Sequence, residues 1–171
     1  MIRKTLACTL LLLASAPLCA NADNTIAKFQ GGIGVQPISS APGPAPTAAT
    51  VNRNIVRGVQ PPGQPWVISD LAAVVTSDSQ ISVSGRGLLL AGGNGLGGNA
   101  GASVFATLIC EATAPFTEHS TDSVVGVALQ PNGDFTIDDT LTPAVTDCAS
   151  PVLLIRNVAN KGWFAAAIQK R

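Results

Sequence analysis

Residues 124–141 read VVGVALQPNGDFTIDDTL, and this stretch decides the fold class. Apolar residues alternate with other residues on both sides of Asn132-Gly133, two residue types that tolerate the positive φ angles of a tight hairpin turn. Such alternation is typical of a β-strand with one buried face. The stretch therefore predicts two antiparallel strands, over residues 124–130 and 134–141, joined by a turn.

The same pattern recurs from Trp66 to the C-terminus, and no window shows the apolar period of an amphipathic helix. Strands without helical crossovers predict an all-β fold, namely an immunoglobulin-like β-sandwich of about seven antiparallel strands. A small closed barrel is the alternative. The further strands are predicted over residues 67–75, 81–90, 103–110, 152–158 and 163–169.

The composition indicates one globular domain. The chain has 171 residues, of which 46% are hydrophobic and 12% are charged, and this is too apolar for a disordered tail. Ten basic side chains balance ten acidic ones. The chain thus lacks the sustained positive field that binding to nucleic acid or to an anionic membrane surface needs, and we expect no nucleic-acid partner.

The N-terminus has the composition of a secretory signal peptide. Two basic residues precede an apolar run over residues 6–16, and small residues follow it. The run is shorter than the roughly 20 apolar residues that a membrane-spanning helix requires. We therefore expect a signal peptide over residues 1–20, cleaved after Ala20 or Ala22, a secreted or periplasmic location and no transmembrane segment.

Removal of the signal peptide leaves Cys110 and Cys148 as the two remaining cysteines. In an oxidising compartment an isolated pair of this kind most often forms a disulfide. The bridge would stabilise the domain by roughly 4 kcal/mol in the chain-entropy model. A two-cysteine metal site is the alternative, but the close C-x-x-C spacing of zinc sites is absent.

Proline, alanine and glycine dominate the region after the signal peptide. Residues 39–50 are typical of an extended linker. Before them, Phe29 and Ile33 lie among glycines in a stretch that leaves an additional edge strand open. The expected organisation is a Pro/Ala/Gly-rich segment and linker over residues 21–52, followed by a β-sandwich domain over residues 53–171.

Six sequence blocks of the mature chain resemble blocks found in a group of secreted bacterial proteins. This resemblance implies no enzymatic activity. The resemblance implies export and a β domain, and it supplies no site residues. The blocks are GGIGVQPISS, NRNIVRGVQPPGQPWVI, SGRGLLLAGGNG, SVFATLIC, NGDFTIDD and CASPVLLIRN.

Acidic residues gather at one predicted end of the domain. If successive strands run antiparallel, the connections alternate between the two ends, and Cys110 and Cys148 fall at the same end as most of the acids. Carboxylates are ligands that calcium prefers. Because no known calcium-loop spacing occurs, solvated loops are the favoured interpretation, and no cofactor is expected. The weak metal-ligand candidates are Asp78, Glu111, Glu118, Asp122, Asp139 and Asp147.

Three motifs that suggest chemistry lack the context that the chemistry needs. His119 is the only histidine, and we expect it in a solvent-exposed loop, because neighbours along one loop rarely form a triad. Residues 93–98 match G-x-G-x-x-G but precede a predicted strand, which favours a flexible connection. Asp138 and Asp139 point to opposite faces of a strand. No catalytic residue is assigned.

Two further residue types have expected places in the fold. Trp66 and Trp163 adjoin predicted strands and are expected in the core. Arg86 and Arg156 interrupt apolar strands, and each is expected to pair with an acid on an outer face, with an anion contact left open. Together the features predict an exported, non-catalytic interaction or cell-envelope-associated structural module whose partner is an unknown protein or envelope component. A small-ligand or calcium-binding module is the second hypothesis, and a hydrolase is the third.

Overall fold

The computed structural model describes residues 24–40 and 51–170. The expected signal peptide and most of the expected linker lie outside these residues. All regular elements within them are β-strands, which confirms the all-β prediction, and no helix there is long and apolar enough to cross a membrane. The strands are β1 (Thr25–Gly34), β2 (Ile38–Ser40), β3 (Val51–Arg53), β4 (Trp66–Val67), β5 (Asp70–Thr76), β6 (Gln80–Arg86), β7 (Leu89–Leu90), β8 (Ser103–Ile109), β9 (His119–Ser120), β10 (Val127–Ala128), β11 (Phe135–Thr140), β12 (Val152–Asn157) and β13 (Trp163–Gln169).

Nine strands form one antiparallel sheet in the order β10-β8-β12-β13-β1-β5-β6-β11, with β9 also beside β8. This sheet curls until its edges nearly meet. Ser120 in β9 and Thr142, just beyond β11, exchange two backbone hydrogen bonds of 2.9 Å. Farther along, β10 and β11 are not paired with each other. The nearly closed sheet approaches the barrel alternative and is still consistent with the predicted sandwich.

The curled sheet encloses one hydrophobic core. Alternate side chains of β5, β6 and β11 point into it, as the two-residue period predicted. Each large apolar side chain buried in this way contributes about 1.5–3 kcal/mol of transfer free energy. Trp66 and Trp163 are also buried, as expected, and the Trp66 ring stacks on Phe164 at 3.9 Å between centroids. The buried residues of the three strands are Leu71, Ala73, Val75, Ile81, Val83, Gly85, Phe135 and Ile137.

The strand predicted over residues 124–130 is much shorter in the structure, because β10 holds only two residues. The alternation over residues 124–130 predicts that Val125 shares a buried face with Val127, but Val125 is 69% exposed. Gly126 interrupts the strand with a φ of +61°, and just before it the Asp122 carboxylate accepts a hydrogen bond from the Val125 amide. The expectation for Val125 is therefore wrong.

The N-terminal strand β1 lies inside the sheet rather than at its edge. It pairs with β13 on one side and with β5 on the other. Its register shifts between Phe29 and Gly32 where it pairs with β13, and the Phe29 ring is 1% exposed in the core. The glycines of this stretch accommodate a β-bulge within the strand. The sheet therefore includes residues that precede position 53.

The predicted turn at Asn132-Gly133 forms between β10 and β11, although these two strands are not paired with each other and form no hairpin. The Gly133 amide donates to the Gln130 carbonyl, and the Gln130 amide donates to the Asp134 carbonyl. Gly133 has a φ of +82°, and an added Cβ there would lie 2.5 Å from the Leu88 nitrogen. Glycine is thus required at this position both by the backbone angle and by the close approach of Leu88.

The disulfide joins Cys110, which follows β8, to Cys148, which precedes β12, with 4.5 Å between the two Cα atoms. This confirms the predicted bridge. Since Ile109 pairs with Val152 and all neighbouring strands are antiparallel, β5, β8 and β11 end on this side of the sheet. We call this side the cystine end.

The outer side of the sheet is covered by other residues over some strands and exposed to solvent over others. Most residues of β8 and β12 are buried on both faces, because residues 53–62 pack across this part of the sheet. The Trp163 amide and Nε1 donate to the carbonyl oxygens of Gln60 and Asn54, and Arg57 donates to carbonyl oxygens at the cystine end. In contrast, β5, β6 and β11 expose one face to solvent.

Candidate functional site

The exposed outer side of β1, β5, β6 and β11 forms a continuous surface, which we call the uncovered face. The strand registers align its side chains in rows that cross the strands. Lys28, Val74, Ser82 and Asp138 form the first row, which has a cation at one end and a carboxylate at the other. Gln30, Ala72, Ser84 and Thr136 form the second row, and Asp70 and Arg86 form the third.

Small side chains make the floor of this face. Ala72, Ser82 and Ser84 are exposed and Val74 is half-buried, and they line a depression of about 400 Å³ together with Lys28 and other residues of β1 and β5. Ser84 also lines a second cavity, of about 480 Å³, that extends over β11 to the unpaired side of β10. The surface is therefore a shallow groove whose edges carry charged groups.

The charged groups of the uncovered face have no ion-pair partner within the described chain. Across residues 24–40 and 51–170, the one ion pair joins Arg156 to Glu118. Arg86, which was expected to pair with an acid, lies beside Asp70 in the ladder without a salt bridge to it. The Asp70 carboxylate accepts a hydrogen bond from the adjacent Leu71 amide. The face thus presents charges of both signs to solvent.

Arg156 pairs with an acid, as predicted, but it is only 6% exposed and therefore lies inside the protein rather than on an outer face. Its Nη1 donates to Glu118 Oε2 at 2.5 Å and to Thr107 Oγ1 at 3.3 Å, and its Nε donates to the Lys161 carbonyl oxygen. The guanidinium also lies 5.2 Å from the centre of the Phe105 ring, within the range of a cation–π contact. Glu118 thus neutralises the charge of Arg156 inside the protein.

His119 was expected in an exposed loop, and this expectation is wrong. The residue lies in β9 and is 7% exposed. Its Nδ1 lies 2.7 Å from the Pro143 carbonyl oxygen, so Nδ1 carries a proton and donates it, because a carbonyl oxygen only accepts. The neighbouring Ser120 hydroxyl is hydrogen-bonded to Thr107 Oγ1 rather than to His119. The arrangement holds β9 in place and is not a nucleophile–base pair.

The metal-ligand candidates are distributed over separate places. Only Asp122 and Asp139 are joined, by the hydrogen bond from the Asp122 amide to Asp139 Oδ2 at 2.9 Å. Glu118 precedes β9 near the cystine end, and its carboxylate is occupied by the ion pair with Arg156. No group of three or more His, Cys, Asp or Glu residues in the described parts of the chain has the geometry to hold a metal ion.

Hydrogen bonds within the chain occupy three of these carboxylates. The Thr76 hydroxyl lowers the pKa of Asp78 below its usual value. The Thr117 amide does the same for the pKa of Glu111, and the Val125 and Val124 amides lower the pKa of Asp122. Each contact is local and orders a turn. Asp147 lines a cavity beside Cys148 at the cystine end.

The glycine-rich loop leads into a strand, as its sequence predicted. β8 follows it, and backbone hydrogen bonds join Leu90 to Gly97 and Gly98 within the loop. The Asn99 side chain donates to the Leu129 and Gln130 carbonyl oxygens. The loop is thus tied to the turn between β10 and β11 and offers no helix N-terminus to a phosphate.

No family model, curated protein or solved structure matches this chain. The functional conclusion therefore depends on the geometry of the uncovered face. Sequence reasoning did not find this face as a unit, although its alternating polar positions are visible in the predicted strands. The missing information was the strand order, above all the placement of β1 beside β5.

Proposed function

We propose that the protein is an exported, non-catalytic interaction module that binds a protein or an envelope component through the uncovered face. The observation that carries the proposal is a shallow surface of small residues with unpaired charges of both signs at its edges. Ion pairs across an interface give specificity and orientation, whereas the small floor allows close approach of another backbone.

The polar residues in and beside β9 and β12, away from the uncovered face, support a binding role rather than catalysis. Arg156, Glu118, His119 and Ser120 are held by contacts inside the chain. Catalysis needs a nucleophile or base that can reach a substrate. The uncovered face supplies cations and carboxylates but no histidine or cysteine among its described side chains.

The composition of the face also favours a protein partner over a glycan or nucleic acid. Its outward-pointing residues include no aromatic ring on which a sugar or base would stack. Its charges alternate in sign rather than forming one basic field. Export is supported by the composition of the N-terminus and by the disulfide, which is typical of oxidising compartments.

Site-specific cross-linking tests the proposal. A photoreactive benzoylphenylalanine is placed at Ser82, in the middle of the uncovered face, or at Ala159, an exposed position in the turn between β12 and β13. After irradiation in cells that export the protein, we expect a covalent adduct from position 82 and none from position 159. The partner identified by mass spectrometry is then purified, and its binding is measured by calorimetry.

A substitution separates specific binding from capture by proximity. Ser82→Arg places a long charged side chain on the floor of the face and should weaken binding of the purified partner by at least about tenfold. Ala159→Arg should leave binding unchanged. Equal adducts from both positions, or none from either, would contradict the proposal.

A further inference from the structure

We infer that the uncovered face binds the same face of a second copy of this chain, about a two-fold axis that runs parallel to the strands between β5 and β6. The inference rests on the proposed function and specifies the partner. It follows from the positions of the charged residues in the strand register. In the first and third rows, a cation on one side of the axis lies at the same distance from it as a carboxylate on the other side.

The first row supplies the outer contacts. Lys28 and Asp138 lie on β1 and β11, the two outer strands of the face, and Val74 and Ser82 lie between them. With neighbouring strands about 4.8 Å apart, Lys28 and Asp138 are separated by about 14 Å measured along the curved sheet, at equal distances on the two sides of the axis. A rotation by 180° therefore places Lys28 of one copy opposite Asp138 of the other, twice per dimer.

The third row repeats this relation close to the axis. Asp70 and Arg86 are directly paired in the ladder between β5 and β6, so the axis passes between them. The same rotation places Asp70 of one copy opposite Arg86 of the other. Four intermolecular ion pairs result, and they involve all four charged side chains of the first and third rows, none of which forms an ion pair among the described residues.

The floor between these charges permits two sheets to approach each other. The rotation places Val74 over Ser82 and Ala72 over Ser84, which are small side chains in both rows. Packed sheets lie about 10 Å apart, and their strands are aligned to within about 30°. Larger side chains at these four positions would hold the sheets apart, whereas the side chains present allow that spacing.

The size of the face sets the strength of the contact. A surface three strand intervals wide is about 14 Å across, which is at the small end of specific interfaces. We therefore expect a dimer with a dissociation constant on the order of micromolar. Because its ion pairs are at the surface, the dimer should dissociate in about 1 M salt, where the Debye length is about 3 Å.

Analytical ultracentrifugation of the purified, disulfide-bonded chain tests the inference directly. At low ionic strength and a concentration of tens of micromolar, we expect twice the monomer mass, and in about 1 M salt we expect the monomer. A chain that remains monomeric at low ionic strength up to about 1 mM would overturn the inference.

Charge reversal identifies the surface. Lys28→Glu and Asp138→Lys should each weaken self-association at least about tenfold, because each places like charges opposite each other twice per dimer. An equimolar mixture of the two variants should dimerise as tightly as the unaltered chain. In the mixed dimer, Glu introduced at position 28 meets Lys introduced at position 138, and the original Lys28 of the other copy meets the original Asp138.

Matched controls keep the result interpretable. Asp147→Lys makes the same charge change in an exposed loop away from the face and should leave self-association unchanged. Melting curves of all variants should match that of the unaltered chain, since the substituted side chains are exposed. If the mixture of single variants stays monomeric, the pairing of Lys28 with Asp138 is refuted.

The outcomes also separate this inference from the proposed function. If the chain is monomeric and the cross-linker at Ser82 captures a different protein that binds in purified form, the self-association inference fails and the interaction module stands. If the chain is monomeric and position 82 gives no adduct, both fail. An adduct of twice the chain mass that is lost in the Lys28→Glu variant supports both.

Discussion

Arg57 occupies a backbone conformation that most side chains avoid. Its φ is +47° and that of Gly58 is +83°, and the two flanking valines exchange backbone hydrogen bonds around them. This is the pattern of a two-residue type I′ turn. The Arg57 guanidinium reaches the cystine end, where it donates to the carbonyl oxygens of Glu111 and Ser150. These hydrogen bonds offset a backbone cost of about 1–2 kcal/mol.

Arg57→Ala should lower the free energy of unfolding by about 2–3 kcal/mol, because it removes several hydrogen bonds from a charged donor and leaves carbonyl oxygens unpaired. Arg57→Gly removes the same hydrogen bonds but relieves the positive φ, so it should be more stable than the alanine variant by about 1 kcal/mol. Urea denaturation with an unchanged m-value measures both differences. Stabilities equal to that of the unaltered chain would show that Arg57 does not hold residues 53–62 in place.

Predictions for single residues were correct where a charged residue interrupts an apolar run and therefore needs a partner. Arg156 interrupts an apolar run, and a charge in that position needs a partner, which proved to be Glu118. The burial of His119 could not be predicted, because β9 is only two residues long and has no detectable period. The role of Arg57 depends on partners that are distant in sequence, such as Ser150.

The pairing of β6 with β11 depends on a glycine beneath an aromatic ring. Phe135 lies directly opposite Gly85 in the ladder. A Cβ added at Gly85 would lie 2.1 Å from Phe135 Cε1. The ring therefore occupies the space that any larger residue at position 85 would need.

Gly85→Ala should lower the free energy of unfolding by about 2–3 kcal/mol, because the added methyl group displaces the buried Phe135 ring. Gly63→Ala is the matched control. An added Cβ at Gly63 meets no atom within 4 Å, and alanine there should be neutral or stabilise the fold by up to about 1 kcal/mol. Equal effects of the two substitutions, measured by thermal and urea unfolding, would be inconsistent with the packing of Phe135 on Gly85.

At the level of elements, sequence periodicity predicted the strands whose two faces have different environments. The predictions around β5, β6 and β11 agree with the structure because each of these strands has one buried and one exposed face. β1 was expected at most as an edge strand, because its glycines resemble those of a loop. The predicted strand over residues 124–130 is longer than β10, because the run of valines does not indicate the interruption at Gly126.

The stability of the whole molecule should depend on pH in the acidic range. The pKa values of Asp78, Glu111 and Asp122 are all lowered, chiefly by hydrogen bonds from nearby hydroxyl and amide groups. A group whose pKa is lowered by folding contributes stability above its usual pKa and loses that contribution as the pH falls through the folded value. The usual values here are 3.8 for the two aspartates and 4.5 for Glu111.

We therefore expect the urea midpoint to be constant with respect to these three groups above about pH 5 and to fall as the pH decreases below it. Asp122→Asn keeps a side-chain acceptor near the Val124 and Val125 amides but cannot be protonated in this range. The variant should be less stable near neutral pH and should lose less stability on acidification. An unchanged slope of the midpoint against pH would mean that Asp122 does not contribute.

At the level of the molecule, the sequence predicted the fold class but not the strand order. The all-β class, the antiparallel pairing and the disulfide follow from local patterns and from two cysteines. The order of the strands depends on non-local pairing, which periodicity does not encode. The uncovered face could not be identified without that order, because its three rows exist only when β1, β5, β6 and β11 are neighbours.

The place of β1 between β5 and β13 has a consequence for how the chain matures. The first described strand hydrogen-bonds to the last one, with Phe29 opposite Gln169. A ribosome or a translocation pore that has released only part of the polypeptide leaves β1 without one of its two neighbours. The sheet is completed only after release of the C-terminal strand, and such long-range contacts form slowly. If the protein is exported, as proposed above, this delay would keep the chain unfolded while it crosses a membrane.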